Sequence, residues 1–387
     1  GSEGEIGNGS MARQTCPVAV SSGSTASGID LGYYHSCARL ADGTIKCWGQ
    51  NTYGQRGDGT TASSSIPITV PGLSGASKVF ANRYHSCAVL SSGLAECWGL
   101  NTYDELGNGR TKVIPIPVAM ATVSNAAEVG AGDSFTCYRT TAGALKCWGN
   151  NDNGQIGNGT TSTYVLTPTA VSGITDAVQI TSGQDFNCAV LSSGSVSCWG
   201  YNSSSGQLGD GSTTSSSTPV TVSGITDAVQ VDSGQYHSCA VLSSGSVSCW
   251  GVNTYGQLGD GTTTRVTTPT SVSGITNAVH VGLGDSHACA TLSTGSVYCW
   301  GQNNNDQLAD DSIATYSNVP IPISGITSAV RAEAGGADTC ALFSSGVVSC
   351  WGTNTNGEMG NGLKRLAPIP VSVSGITNAI GFDLNGD

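Results

Sequence analysis

Apolar and polar residues alternate in short runs along this chain, and one pattern, residues 234–251, recurs through most of it. It reads Gly-Gln-Tyr-His-Ser-Cys-Ala-Val-Leu-Ser-Ser-Gly-Ser-Val-Ser-Cys-Trp-Gly. It returns seven times, closing on Trp48, Trp98, Trp148, Trp199, Trp250, Trp300 and Trp351 at intervals of 50 or 51 residues. A fixed period of that length marks a repeat architecture, a solenoid or a propeller.

A two-residue period inside the pattern predicts a pair of strands. Setting Cys239 opposite Cys249 puts Leu242 opposite Ser246 and leaves the loop Ser243-Ser244-Gly245. A three-residue hairpin loop ends on a residue in the left-handed region, where glycine costs least. Gly43, Gly93, Gly143, Gly194, Gly245, Gly295 and Gly346 hold that place. On this register Cys239, Val241, Val247 and Cys249 share one face, and Ala240, Leu242 and Trp250 share the other. Both faces are apolar, so the hairpin is expected to be buried on both sides, between neighbouring sheets.

The register also sets the cysteine chemistry. In every copy two cysteines stand ten apart: Cys37/Cys47, Cys87/Cys97, Cys137/Cys147, Cys188/Cys198, Cys239/Cys249, Cys289/Cys299 and Cys340/Cys350. Alternation places each pair at a non-hydrogen-bonded position, where Cα atoms approach to about 4.5 Å, within reach of a disulfide. Seven intra-hairpin disulfides are predicted, in hairpins at 35–49, 85–99, 135–149, 186–200, 237–251, 287–301 and 338–352. Zinc sites cluster cysteines two to four residues apart, and this chain has no such cluster. Cys16 is left over: free, bonded to another chain, or separated from its partner by truncation. So many disulfides need an oxidising compartment, and a secreted or cell-surface protein is expected.

Around each hairpin the unit is completed by two further strands. An inner strand of the Ala-Val-Gln-Val type precedes it, and a turn-rich loop such as residues 253–261 follows. The unit closes on a strand with proline near its start, as at Pro67, Pro117, Pro168, Pro219, Pro269, Pro320 and Pro368. Proline has no N–H to give a ladder, so this strand is expected at the outer edge. The fold class is therefore all-β: a seven-bladed β-propeller of four-stranded antiparallel blades, forming a single domain over residues 1–387. Residues 2–10 repeat 152–160, residues 17–20 repeat the proline-marked strand, and 28–32 are a degraded inner strand. At the other end 374–383 repeat 223–232. Eight inner and eight outer strands thus meet seven hairpins. The terminal strands are expected to close the ring; the surplus overhangs, completes a neighbouring molecule, or marks a longer array that was cut.

Composition narrows the partners. The 55 glycines fit a turn-rich β protein, and 14 basic against 26 acidic residues give a net charge of −12. Without a basic cluster to neutralise phosphates, nucleic acid is excluded as a partner, and an anionic membrane surface is disfavoured. No apolar run is long enough to span a bilayer, and no signal peptide is visible.

The pattern His-Ser-Cys-Ala-x-Leu…Gly-x-x-x-Cys-Trp-Gly-x-Asn…Gly-Gln-Leu-Gly-Asp-Gly resembles the regulator of chromosome condensation repeat family. The resemblance runs through essentially the whole chain and implies a seven-bladed propeller closed by its terminal strands. The namesake's nucleotide exchange on a nuclear GTPase is not expected, because even spacing leaves no room for a blade insertion and disulfides do not suit a nucleus. The plant ultraviolet photoreceptor of the family uses Gly-Trp-Arg-His-Thr with clustered tryptophans, whereas tryptophan here occurs only in Cys-Trp-Gly. Its secreted bacterial members, among them a β-lactamase inhibitor that binds through one propeller face, are nearer in setting.

Three groups of residues are candidates for chemistry. Tyr53, Tyr103 and Tyr255, with Tyr201 nearby in another blade, stand among Asn, Thr and Gly after Cys-Trp-Gly, a polar aromatic surface suited to a protein or glycan; capping of a turn is the alternative. His35, His85, His237 and His287 precede a hairpin cysteine by two residues, where other copies carry Phe135, Phe186 and Asp338. A channel ring of metal ligands is one reading, and a packed ring slot, which phenylalanine favours, is the other. Asp58, Asn108, Asn158, Asp210, Asp260 and Asn361 lie in glycine-flanked turns without the ligand spacing of a calcium loop. The residues from Asp383 to Asp387 resemble the start of such a loop but align with an inner strand.

No nucleophile elbow, zinc-protease motif or phosphate loop is present, so no catalytic residue, metal or cofactor is assigned. The reading is a non-enzymatic extracellular structural or binding module, in its sharper form a filament or assembly subunit joined by strand exchange. The alternatives are a soluble adhesin or enzyme inhibitor that takes a protein or glycan on one face and, further off, a polysaccharide-active enzyme.

Overall fold

The structure, a computed structural model, describes residues 26–31, 35–40, 42–81, 84–120, 123–310, 315–345, 348–352, 367–372 and 382–384. The predicted unit is present seven times. In the fifth blade the strands are Ala228–Ser233, His237–Leu242, Val247–Gly251 and Val266–Ser271, hydrogen-bonded in that order. Every sheet follows the same antiparallel meander from an inner first strand to an outer fourth one, and no helix occurs among the described residues. The proline-marked strand is the edge strand in each sheet, where a missing N–H leaves no ladder bond unmade.

The hairpin register is the one the turn chemistry requires. Cys239 pairs with Cys249 and Val241 with Val247. The loop closes with Gly245 N–H donating to Leu242 O at 2.8 Å, and Gly245 sits at φ 82°, in the left-handed region. Six of the seven predicted disulfides are seen: Cys37–Cys47, Cys87–Cys97, Cys137–Cys147, Cys188–Cys198, Cys239–Cys249 and Cys289–Cys299. Their Cα–Cα distances are 4.0 to 4.1 Å, a little under the spacing of about 4.5 Å expected for a non-hydrogen-bonded pair. Cys340 stands opposite Cys350 in the same backbone register, but the Cys350 side chain lies outside the described residues. So do Cys16, Gly346, Asn361 and the strands expected over 17–20 and most of 374–383.

Burial on both faces of the hairpin is what joins the blades. Cys239, Val241, Val247 and Cys249 pack on Val281, Ala288, Ala290 and Trp300 of the sixth blade. The opposite face, Ala240 and Trp250, packs on Cys188, Val190, Val196 and Cys198 of the fourth. Each tryptophan thus leaves its own sheet to fill the gap beside the preceding one. Trp98, Trp148, Trp199, Trp250, Trp300 and Trp351 are fully buried. Their indole N–H groups donate to the carbonyl oxygens of Gln55, Glu105, Gln155, Gln207, Gln257 and Gln307, in the preceding blade's loop, at 2.8 to 3.0 Å.

The inner strands are laced together as well. Gln179 accepts from Val231 N–H and donates to Val231 O (2.9 and 3.0 Å), and Gln230 does the same with Val281 (2.8 and 2.7 Å). Each amide copies the ladder bonds that two strands in separate sheets cannot make. Between the sixth and seventh blades a carboxyl takes this place: Glu333 lies 2.9 Å from His280 Nε2 and pairs with Arg331 of its own strand.

Four strands per blade is exceeded in the first sheet. Phe382–Leu384 lies parallel to the inner strand Ala26–Leu31, with Phe382 opposite Ile29 and Leu384 opposite Leu31. It also lies against Ala329–Ala334 of the seventh blade. The inner strand of a blade has one unpaired edge, and that edge is what this fifth strand occupies.

Candidate functional site

Alternating strand direction brings two kinds of connection to one end of the propeller: the short turn between first and second strands, and the long loop between third and fourth. The long loops share one frame. Asn253, fully buried, donates from Nδ2 to the carbonyls of Thr262 and Thr264 (3.1 and 3.2 Å) and accepts Leu258 N–H at 3.0 Å. Asn51, Asn101, Asn151, Asn202 and Asn303 are buried in the same role. Gly259 passes under Trp300 at φ 63°, where an added Cβ would lie 2.9 Å from the indole, so only glycine fits.

That frame holds the tyrosines. Tyr53, Tyr103, Tyr201 and Tyr255 are all half-buried and all on this one end. The backbone N–H groups of Tyr53, Tyr103 and Tyr255 donate to Gln55, Glu105 and Gln257, so these residues do shape their turns, while their rings face outward in part. The four do not converge, since each belongs to a different blade. Two instead meet a tyrosine from the neighbouring blade's short turn: Tyr53 with Tyr84, edge to face at 5.1 Å, and Tyr201 with Tyr236, tilted at 6.3 Å. The corresponding turn positions beside Tyr103 and Tyr255 are Ser134 and Ser286. Tyr84 and Tyr236 were missed in the sequence, although both precede a hairpin histidine in the recurring pattern.

The paired cysteines stand away from this end. Cys47, Cys97, Cys147 and Cys299 sit in the third strands of their blades, fully buried and each bonded across the hairpin to Cys37, Cys87, Cys137 and Cys289. They pack against Trp98, Trp148, Trp199 and Trp351 of the following blades, so they staple the scaffold. Cys188–Cys198 and Cys239–Cys249 are placed alike.

The histidines do not line the channel as a cluster. His35, His85, His237 and His287 are each at most 1 % exposed and lie between blades. His35 Nε2 lies 2.7 Å from Ser86 Oγ, whose hydroxyl donates to Gln55 O at 2.9 Å. With the serine proton so engaged, the histidine must donate, which sets the neutral Nε2–H tautomer. His85 with Thr136 and Glu105, and His287 with Thr339 and Gln307, repeat the relay. Burial holds His35 and His237 down to about 3, with the neighbouring His85 and His287 respectively adding to the effect, and holds His85 down to about 4. Among the described residues no three His, Cys, Asp or Glu side chains come close enough to hold a metal ion.

The acidic turns are likewise engaged locally. Asp58 and Asp260 accept both the backbone N–H and the hydroxyl of Thr60 and Thr262, and Asn158 does so with Thr160. The second blade carries two adjacent carboxyl groups in this loop. Asp104, at φ 63°, accepts N–H groups from Asn108, Gly109 and Arg110. Glu105 stands where the loops of five other blades carry Gln55, Gln155, Gln207, Gln257 and Gln307, and it is buried, with Oε1 lacking a hydrogen-bond partner. Burial pushes Asp104 up to about 6 and Glu105 up to about 7, the adjacent Asp104 charge adding to the latter.

Family models agree with this architecture. The RCC1-like domain model matches residues 120–384, and models of the regulator of chromosome condensation (RCC1) repeat match residues 26–55 and 42–89. Among solved structures, Prp20p of Saccharomyces cerevisiae, studied for binding to Gsp1p and histones, superposes with a TM-score of 0.73 at 18% identity over 85% of each chain. Human WBSCR16 gives 0.71 at 21% identity, covering 81% of this chain and 85% of that one. The CRINKLY WD40 ectodomain of the Arabidopsis thaliana receptor kinase ACR4 gives 0.51 at 21% identity, covering 85% and 98%. At these identities the likeness is one of fold.

Proposed function

Because this chain belongs to the RCC1-like domain family, we propose that it is a non-enzymatic extracellular binding module that takes a protein partner on its loop end. The observation that carries this reading is the pairing of tyrosines across blade boundaries, Tyr53 with Tyr84 and Tyr201 with Tyr236. Tyrosine offers apolar area and a polar tip with few rotatable bonds, and rings already packed on one another lose little freedom on binding. The disulfides support an oxidising, extracellular setting. Relatives named for protein partners, Prp20p with Gsp1p and histones, lend the choice of a protein over a glycan some support.

The test compares the wild-type protein with Y53A/Y84A and Y201A/Y236A, each immobilised under non-reducing conditions and exposed to the cells' surface and secreted proteins. A partner kept by the wild type and lost by at least one double variant, with unfolding midpoints unchanged, is the expected result. Retention of the same partners by both variants would overturn the reading.

A second reading, assembly of copies by strand exchange, is favoured by the parallel pairing of Phe382–Leu384 with Ala26–Leu31. Within one chain that pairing would close the ring; between chains the same bonds would join two molecules. Light scattering separates the two: oligomers that dissociate when residues 382–387 are removed support exchange, and a monomer near 39 kDa rules it out.

A further inference from the structure

We propose that Asn158 is a site of Asn-linked glycosylation. The acceptor pattern Asn-x-Ser/Thr occurs at Asn8, Asn158 and Asn202. Asn8 lies outside the described residues, and the other two differ in a way sequence cannot reveal. Asn202 is the fully buried frame residue of its loop. Its Nδ2 donates to the carbonyls of Ser212 and Thr214, and its Oδ1 accepts Leu208 N–H. A sugar on that nitrogen would displace the bonds that shape the loop.

Asn158 is placed the other way round. It is partly exposed and is followed by the exposed Gly159 and Thr160. Only its Oδ1 is engaged, accepting Thr160 N–H at 3.1 Å and Thr160 Oγ1–H at 2.7 Å; Nδ2 makes no hydrogen bond among the described residues. Gly159 N–H donates to Ser217 O, in the outer strand of the next blade, at 2.8 Å. The turn therefore sits against an outer strand, at the rim of the end that carries the long loops, with the Asn158 side chain partly open to solvent.

The step is a displacement. Nδ2 of Asn158 forms a bond to the anomeric carbon of an oligosaccharide carried on a lipid pyrophosphate. The bond from that carbon to the phosphate oxygen breaks, the lipid pyrophosphate leaves with the electron pair, and the amide proton passes to the transferase.

The inference rests on the extracellular reading, and the experiment keeps the two apart. The protein is purified from the medium or surface of its own cells and cleaved before aspartate. Cuts at Asp152 and Asp176 isolate Asn158 on residues 152–175, and cuts at Asp185 and Asp210 isolate Asn202 on 185–209. Enzymatic release of Asn-linked glycans in heavy-oxygen water then marks each former site as labelled aspartate. Label on 152–175 and none on 185–209 is expected. N158D should lose that glycan yet fold normally, because Asp58 and Asp260 make the same turn, and T160S should keep it. An exported, disulfide-bonded protein with 152–175 unlabelled overturns the inference alone. Recovery only from the cell interior, with free thiols, overturns the extracellular reading too.

Discussion

The indole N–H of Trp250 donates to the carbonyl oxygen of Gln207 at 2.8 Å, tying the fifth blade to the loop of the fourth. Both groups are fully buried, so neither has water to fall back on. The W250F variant removes the donor, orphans the carbonyl and leaves unfilled volume. It should lower the unfolding free energy by about 2–4 kcal/mol, read as a drop in urea midpoint. An unchanged midpoint would show that the bond is incidental to blade packing.

His237 lacks the relay its counterparts have. The position that holds Ser86 beside His35 and Thr136 beside His85 is Ala288 beside His237, so the His237 ring meets no hydroxyl there and has, among the described residues, only the backbone of His287 to engage. A288S supplies the missing hydroxyl and should stabilise by about 1 kcal/mol. The reverse change, S86A, should cost about 1–3 kcal/mol by stranding His35 Nε2 and leaving Gln55 O with one donor fewer. Equal thermal midpoints for A288S and the wild type would argue against the relay.

Glu105 predicts a loss of stability as the pH rises from about 4.5 through 7. A carboxyl held at about 7 in the folded chain, above its ordinary 4.5, binds more protons folded than unfolded. Its protonated form is therefore favoured by folding: the contribution is complete below about pH 4.5 and is lost as pH rises through 7. E105Q installs the amide that Gln55, Gln155 and Gln257 supply elsewhere. At pH 8 it should be more stable than the wild type by up to about 3 kcal/mol, with the two converging near pH 4.5. Denaturant titrations of both proteins at pH 4.5, 6 and 8 would show this, and parallel pH profiles would contradict it.

The buried histidines predict the opposite limb. His35, His85 and His237 are held below the ordinary 6.5 by burial. The folded chain keeps them neutral, so stability is full above pH 6.5 and falls as the unfolded state takes up protons between 6.5 and the folded values near 3 to 4. H85F, which copies the natural Phe135 and Phe186, should flatten the acid limb. A slope unaltered in H85F would assign that limb to other groups.

Each disulfide closes a loop of sequence separation 10, which in the chain-entropy account contributes about 2–3 kcal/mol by restricting the unfolded chain. Reductant added to the unfolded protein should lower the refolding midpoint far more than reductant added to the native one, because the native sulfurs are buried, those of Cys47, Cys97, Cys147 and Cys299 completely. Rapid reduction of the native protein at all sites would mean the blades open readily.

Much of this propeller was legible in the chain itself, and the reason is local. Turn chemistry at Gly245 sets the hairpin register, the register puts Cys239 against Cys249, and proline at position 219 or 269 sends its strand to the sheet edge. All of these depend on neighbours a few residues away, and repetition stated each of them seven times. What the tertiary structure decided were contacts made between blades, some 30 to 50 residues apart in sequence. Trp250 reaches Gln207, Gln230 laces to Val281, His35 relays through Ser86 to Gln55, and Tyr201 meets Tyr236. The same holds for the asymmetry of the two acceptor asparagines: Asn158 and Asn202 read alike in the chain, and only the loop fold exposes one and buries the other. A periodic sequence specifies its unit by short-range rules, but which side chain bridges to the next unit depends on how units stack, and the period alone does not contain that distance.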